Sequence, residues 1–450
     1  MNILKTVLVG ACVYFASASQ AEEIRHDLVA DVSADRIEAD IRKLVGFGTR
    51  HTLSETESDT RGIGAARRWI ADEFRRISKE CGDCLEVLVI GDVISGERRI
   101  PEPTEVVSVL AIQRGTLDAD RMVMMSGDID SRVSDPLDST SDSPGANDNA
   151  SGMAGVIEAA RVLSKHKFAG TIVYAGLSGE EQGLFGGKIV AEHALEAGWR
   201  IKAVLNNDMI GNISGIDGVT DNTTARVFSE GTRYVETEDE ARTRRFSGGE
   251  VDSPSRNLAR YVDRMADKYV PNLNVMMIYR LDRFGRGGHH RPFNERGIPG
   301  VRIMETHEHY QRQHQTLRTE GDIEYGDVIE GVNFDYARKL TALNIVSLAG
   351  MASAPPFPAN VEIKGAVQPS TVLSWSVPTG TAAENLAGYK VYWRLTTEPQ
   401  WTFGKDVGRV DTYTLENVVI DNYLFGVASV SKDGYESPVV FPGPTGSFGE

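Results

Sequence analysis

Acidic residues gather where apolar, strand-like runs give way to glycine-rich turns. The places are Gly127-Asp128-Ile129-Asp130, the stretch Gly145 to Gly152 around Asp148, Gly179-Glu180-Glu181-Gln182-Gly183, Asn206-Asn207-Asp208, and a His-rich stretch from Glu305 to His314. Singly, each reads as a turn, because Asp and Asn favour glycine-rich loops. As a set they read differently, since open α/β sheets bind ligands at the carboxyl ends of their strands and these clusters can converge there. Converging carboxylates repel unless cations separate them. Asp, Glu and His with one bridging carboxylate suit two divalent metals about 3.5–4 Å apart, and the chemistry is hydrolysis by an activated water. Within the adjacent pair Glu180-Glu181, one carboxylate can ligate while its neighbour takes the proton. Five of the nine histidines fall between residues 289 and 314, a clustering that structural use alone does not produce.

The ordered motifs PGANDNASG, SGEEQGLFG and LNNDMIG, within a span from roughly Asp35 to Leu348, resemble the co-catalytic zinc exopeptidases of the bacterial leucyl-aminopeptidase type. The same superfamily holds glutaminyl cyclases and the transferrin receptor. The resemblance implies that Asp148 bridges both metals, Glu181 and His314 complete one site, Asp208 belongs to the other, and Glu180 is the general base. It favours an aminopeptidase acting on peptides, with two zinc ions. A cyclase-like acyltransferase and a non-catalytic binding protein are the alternatives carried by the same superfamily. His307 and His309 rival His314, which is preferred because Tyr310 to His314 matches the family's terminal ligand motif.

Two departures from that pattern are informative. The family has His-x-Asp where this chain has Asp128-Ile129-Asp130, and it has an Asp-His pair where this chain has His289-His290 before Arg291-Pro292-Phe293. A swap is therefore expected: His289 ligates the second metal or hydrogen-bonds Asp128. Asp130, two residues on along an extended chain, should point to the same side and support Asp128, and it is counted with Glu180 in the catalytic apparatus. Without an imidazole, a site made by Asp128, Asp148 and Asp208 would favour manganese or another hard cation. Arg280, Arg283 and Arg286 crowd the approach, and Arg286 is the candidate for binding a substrate carbonyl or carboxylate.

Alternating helices and apolar strands must position these residues. Gly62 to Ile77, Ala154 to Leu163 and Leu184 to Ala197 read as helices, and Val106 to Ile112, Met122 to Met125, Thr171 to Ala175, Ala203 to Leu205 and Val301 to Met304 as buried strands. The fold class is α/β, an α/β/α sandwich with a central, mostly parallel sheet, closed by a helix from Asp327 to Leu348. Prolines 355, 356 and 358 stiffen a linker. Beyond it, short alternating runs around Trp375, Tyr389 to Trp393 and Tyr423 to Ala428 predict a small all-β sandwich resembling a fibronectin type III module. The expected organisation is a leader over 1–21, a metallopeptidase domain over 22–352, a linker over 353–360 and the sandwich over 361–450, which is expected to bind a surface, a carbohydrate or another chain.

The leader follows from Lys5, the apolar run Val7 to Phe15 and small residues before Ala21, and it predicts export to a periplasmic or extracellular space. Lipid attachment at Cys12 is the weaker alternative. In an oxidising compartment, Cys81 and Cys84 should form a short structural disulfide. No run is long enough to span a membrane. The chain of 450 residues carries 48 Lys and Arg against 64 Asp and Glu, a net charge of −16 that disfavours nucleic acid as a partner.

Overall fold

The computed structural model describes residues 22–449; the expected leader and Cys12 lie outside that range. Eight strands form one sheet: β1 (Leu85–Ile94), β2 (Thr104–Gln113), β3 (Asp118–Asp128), β4 (Gly170–Leu177), β5 (Arg200–Asn207), β6 (Thr224–Phe228), β7 (Asn274–Ile278) and β8 (Gly300–Glu305). Their spatial order is β1-β2-β4-β3-β5-β8-β6-β7. The centre, β4-β3-β5-β8, is parallel. The flanks are not: β1 pairs antiparallel with β2, β2 with β4, and β6 with β8. The sheet is thus mixed: the four central strands whose ends carry the acidic clusters are parallel, and β6 and β7 at the far edge form a further parallel pair.

Both faces of this centre are buried, which is why β4 reads as an uninterrupted apolar run, GTIVYAGL. Alternation along β3 divides the core. Val123 and Met125 join the helices Ala34–Val45, Gly62–Glu80, Gly152–Leu163 and Phe334–Ser353 on one side, while Met122 and Met124 pack with Val190, Ala191 and Ala194 of helix Phe185–Glu196 on the other. Helix–sheet–helix layering follows directly. At about 25 cal/mol for each Å² of apolar surface removed from water, these two cores are the main stabilising term of the fold.

One helix begins later than its sequence suggests. The closing helix starts at Phe334, capped by the Asn333 side chain accepting from the Tyr336 amide at 2.8 Å. Asp327, expected as its start, is turned instead toward the loop that carries Asp148. Among the described residues no helix is long and apolar enough to cross a membrane. Cys81 and Cys84 are disulfide-bonded.

After the linker, two three-stranded antiparallel sheets face each other: Ala359–Lys364, Thr371–Ser376 and Thr412–Leu415 in one, Phe403–Gly408, Leu386–Leu395 and Tyr423–Ser431 in the other. Leu373, Trp375, Tyr389, Val391, Phe425 and Val427 fill the space between them. This pair of sheets is fastened to helix Pro254–Tyr269 by a buried ion cluster. Asp252 receives Arg260 Nη1 at 2.9 Å and Arg394 Nη2 at 2.8 and 2.9 Å. All three side chains are buried, and the one carboxylate serves both guanidiniums away from water.

Candidate active site

The carboxyl ends of the parallel strands converge. Asp128 ends β3, Glu180 and Glu181 follow β4, Asp208 follows β5, and the chain after β8 leads to His314. Arg50, fully buried, clamps the loops between them by donating to the carbonyls of Ile129, Pro144 and Gly145 at 2.8, 2.6 and 2.9 Å. Asp327 accepts the backbone amides of Asn147 and Asp148 at 2.9 and 2.7 Å, and Asn147 in turn donates to Glu305 at 2.9 Å. The loop bearing Asp148 is therefore held on three sides by hydrogen bonds.

Three of the expected residues meet as a ligand set. His314 Nε2 lies 2.9 Å from Asp148 Oδ2 and 2.8 Å from Glu181 Oε1, and one donor atom from each of the three lies within 4.8 Å of the others. Burial lowers the His314 pKa, but the charges of Glu181 and Asp148 outweigh it and push the ring up to about 9. The same attraction holds Asp148 below the usual carboxylate range against its own burial. The arrangement calls for a cation between the two carboxylates. His314 holds a left-handed backbone at φ 54°, and Leu184 and Met209 beside the same site do so at 64° and 62°, a conformation uncommon for non-glycine residues. His307 and His309 stay outside the donor set.

Glu180 shares a cavity of about 470 Å³ with Asp148, Glu181, Asp208 and His314. Burial and the neighbouring charges of Glu181 and Asp208 raise its pKa well above that of an ordinary carboxylate. Its position is set through Asp130, whose Oδ1 accepts the Glu180 amide at 3.2 Å and whose Oδ2 accepts the Glu181 amide at 3.1 Å and the Thr52 hydroxyl at 3.0 Å. Asp130 was expected to support Asp128; the hydrogen bonds its oxygens accept come instead from the Glu180-Glu181 turn and Thr52, so its contacts orient that turn.

The other half of the expected metal centre is arranged differently. Asp128 and His289 are buried and do not line the cavity. Asp128 Oδ2 accepts from Asn149 Nδ2 at 2.7 Å, and its Oδ1 lies 2.5 Å from His289 Nδ1. Of the two roles expected for His289, ligand or hydrogen-bond partner of Asp128, the geometry has the second. Asp208 Oδ2 is 2.7 Å from Arg302 Nη2, and Arg302 also pairs with Asp282. Burial still drives Asp208 up to about 8 despite that guanidinium. No second group of three donors forms among the described residues.

Arg132 and Arg302 were not anticipated. Arg132 Nε donates to Glu181 Oε2 at 2.7 Å, and its Nη2 reaches His314 Nδ1 at 2.7 Å. The alternation that places residues 128 and 130 on one side of an extended chain extends to 132, so a signal existed. Arg302 lies within an apolar-looking strand with no motif around it. Arg286, expected at the substrate, is at the mouth of the cavity, 3.4 Å from Gln313 and 3.8 Å from Glu308. Arg283 pairs with Glu308 at 2.8 Å.

Over 424 residues the sequence is 44% identical to a "Probable zinc metalloprotease" of Leptosphaeria maculans, with 94% of this chain and 97% of that one covered. The sequence model of peptidase family M28 matches residues 108–328, which hold Asp148, Glu180, Glu181, Asp208, His314 and Asp327. The chain belongs to that family. A second relative, a "Probable zinc metalloprotease" of Pyricularia oryzae, is 41% identical over 421 residues, 92% of this chain and 84% of its own. Among solved structures, the LapA aminopeptidase of Legionella pneumophila superposes with a TM-score of 0.53 over 74% of this chain and 73% of its own, at 20% identity. At that identity the likeness shows a shared fold.

Proposed function

We propose that this M28 chain is an exported, zinc-dependent exopeptidase. The observation that carries the reading is the convergence of Asp148, Glu181 and His314 on one point, with Glu180 in the same cavity. Asp148, Glu181 and His314 would hold a zinc ion, carboxylate oxygen and imidazole nitrogen being donors that zinc takes. The names of the relatives, zinc metalloproteases, agree. A zinc ion held there supplies a Lewis acid that polarises a peptide carbonyl and acidifies a water.

The remaining work falls to side chains of this chain. Glu180 takes the proton of the attacking water and returns it to the leaving nitrogen, a role its raised affinity for a proton suits. Asp130 fixes the turn that aims Glu180, and Arg132 holds Glu181 in its ligating rotamer. In the Asp128 and Asp208 half a second ion would compete with the Arg302 cation beside Asp208 and with the His289–Asp128 pair, which makes that half the weaker of the two. Export is supported by the leader-like N-terminus together with the Cys81–Cys84 disulfide.

Glu180→Gln tests the reading. The variant should bind zinc as the parent does and lose about 10²–10⁴-fold in kcat on peptides. Undiminished hydrolysis in the variant would end the assignment.

A further inference from the structure

The cavity of this strongly acidic protein is basic at its mouth. Its floor consists of Asp148, Glu180, Glu181, Asp208 and His314, whereas its wall brings in Arg98, Arg99, Arg132, Lys188, Arg283, Arg286 and Arg291. Around the whole cavity seven basic side chains face five carboxylates, and a zinc ion would add two further positive charges. The chain as a whole has the reverse balance, 48 basic against 64 acidic. A cleft whose charge opposes that of its own protein is an electrostatic funnel for ligands of the opposite sign.

Several of these cations are not neutralised by the protein. Arg226, Arg283 and Arg286 converge on the single carboxylate of Glu308, at 2.9, 2.8 and 3.8 Å, and Arg286 is the outermost. Arg99 donates to the main-chain carbonyl of Glu181, and its Nε has no hydrogen-bond partner. Lys188 lies over the Phe185 ring, 4.4 Å from the centroid, and neither it nor Arg98 forms an ion pair among the described residues. Burial and then the charge of Arg132 lower the Arg99 pKa, which is the signature of cations crowded together.

We propose that the mouth of the cavity selects peptides carrying a carboxylate beside the cleaved bond, bound by Arg286 and Arg99 with Arg98 and Lys188 steering its approach. The carboxylate has two sources, the free C-terminus of a short peptide or an Asp or Glu side chain. This inference rests on the peptidase reading and names its substrate class. It also removes one support for an aminopeptidase preference, because the acids of the floor are shielded from an incoming ammonium by the basic wall.

The test uses the full, zinc-loaded chain with peptides matched in all but charge: a tripeptide as free acid and as C-terminal amide, and Glu against Gln at the residue flanking the cleaved bond. A lost charge-assisted hydrogen bond corresponds to a fall of about 10–100-fold in kcat/KM. The pair that shows the fall identifies which carboxylate is read. Arg286→Gln and Arg98→Gln should each shrink the acid-to-neutral ratio through KM, and raising the salt from about 50 to 500 mM should shrink it in the parent protein. Equal rates for charged and neutral peptides, or a preference for lysine-rich ones, would overturn the proposal. Binding of the same peptides to the Glu180→Gln protein, followed by calorimetry, reads the charge preference without turnover. An absence of hydrolysis with acid-selective binding would therefore count against the peptidase reading alone, and binding indifferent to charge against this inference alone.

Discussion

His289 Nδ1 and Asp128 Oδ1 lie 2.5 Å apart, both buried, at the end of the third strand. Burial pushes the ring down to about 4 and pushes the Asp128 carboxyl up, so one proton is held between the two groups. His289→Ala leaves Asp128 with Asn149 as its one side-chain partner among the described residues and opens a void against Gly187, whose position leaves no room for a side chain beside the His289 ring. The expected result is a loss of about 10–100-fold in kcat/KM, as for other residues that orient a catalytic centre through an intermediate. His289→Asn, which can present a donor at the place of Nδ1, should recover part of it. A KM and kcat matching the parent in the alanine variant would show that the pair has no bearing on the reaction.

Metal content distinguishes the two halves of the centre. Equilibrium titration of apo protein should reveal one tightly held zinc per chain, abolished in His314→Ala. The Asp208→Asn protein should keep that ion, because Asp208 is paired with Arg302 rather than with the three-donor group. Two equally tight ions in the parent would contradict this, and would require Arg302 to leave Asp208 on loading.

The ion cluster at Asp252 predicts a stability effect far from the cavity. Asp252→Asn removes the charge shared by Arg260 and Arg394, leaving two buried guanidiniums without a counter-ion. Losing one partner of a buried pair costs about 3–5 kcal/mol. Urea denaturation should show that loss, with zinc binding in the folded variant unchanged.

A pH-dependent effect is expected at Glu230. Burial raises its pKa to about 7, with Asn294 and the Tyr234 amide opposing. A folded pKa above the unfolded value of about 4.3 means that the neutral acid is favoured in the fold. Its stabilising contribution is complete below pH about 4 and disappears as pH rises through 7. Glu230→Gln should therefore be more stable than the parent at pH 8, by roughly 1–2 kcal/mol, and indistinguishable from it at pH 4. A constant difference at both pH values would refute the argument.

Much of the centre could be read from residue order. Asp148, Glu180, Glu181 and His314 sit in short motifs at strand ends, where the chain direction of a parallel sheet alone brings loops to one edge. The strands that hold them are equally legible, since β4 and the centre of β3 are continuous apolar runs that only two-sided burial explains. The exchange of His and Asp between positions 128 and 289 was visible as two departures from one pattern, 161 residues apart in the chain.

What residue order left open was decided by contacts between distant segments. Whether Asp130 supports Asp128 or the Glu180-Glu181 turn depends on which backbone amides the fold brings within 3.2 Å, and strand alternation gives only the side, not the partner. Arg302 carries no motif, because a guanidinium that neutralises Asp208 needs only to arrive from the neighbouring strand. The basic mouth of the cavity is assembled from residues 98, 99, 188 and 286, a grouping that exists only in three dimensions. The sequence by itself determined that Asp148, Glu180, Glu181 and Asp208 gather at one edge of the sheet, since local motifs at strand ends mark where those loops lie. The tertiary structure determined how many metal donors converge and which charge a substrate encounters, because electrostatic partners are chosen by distance through space.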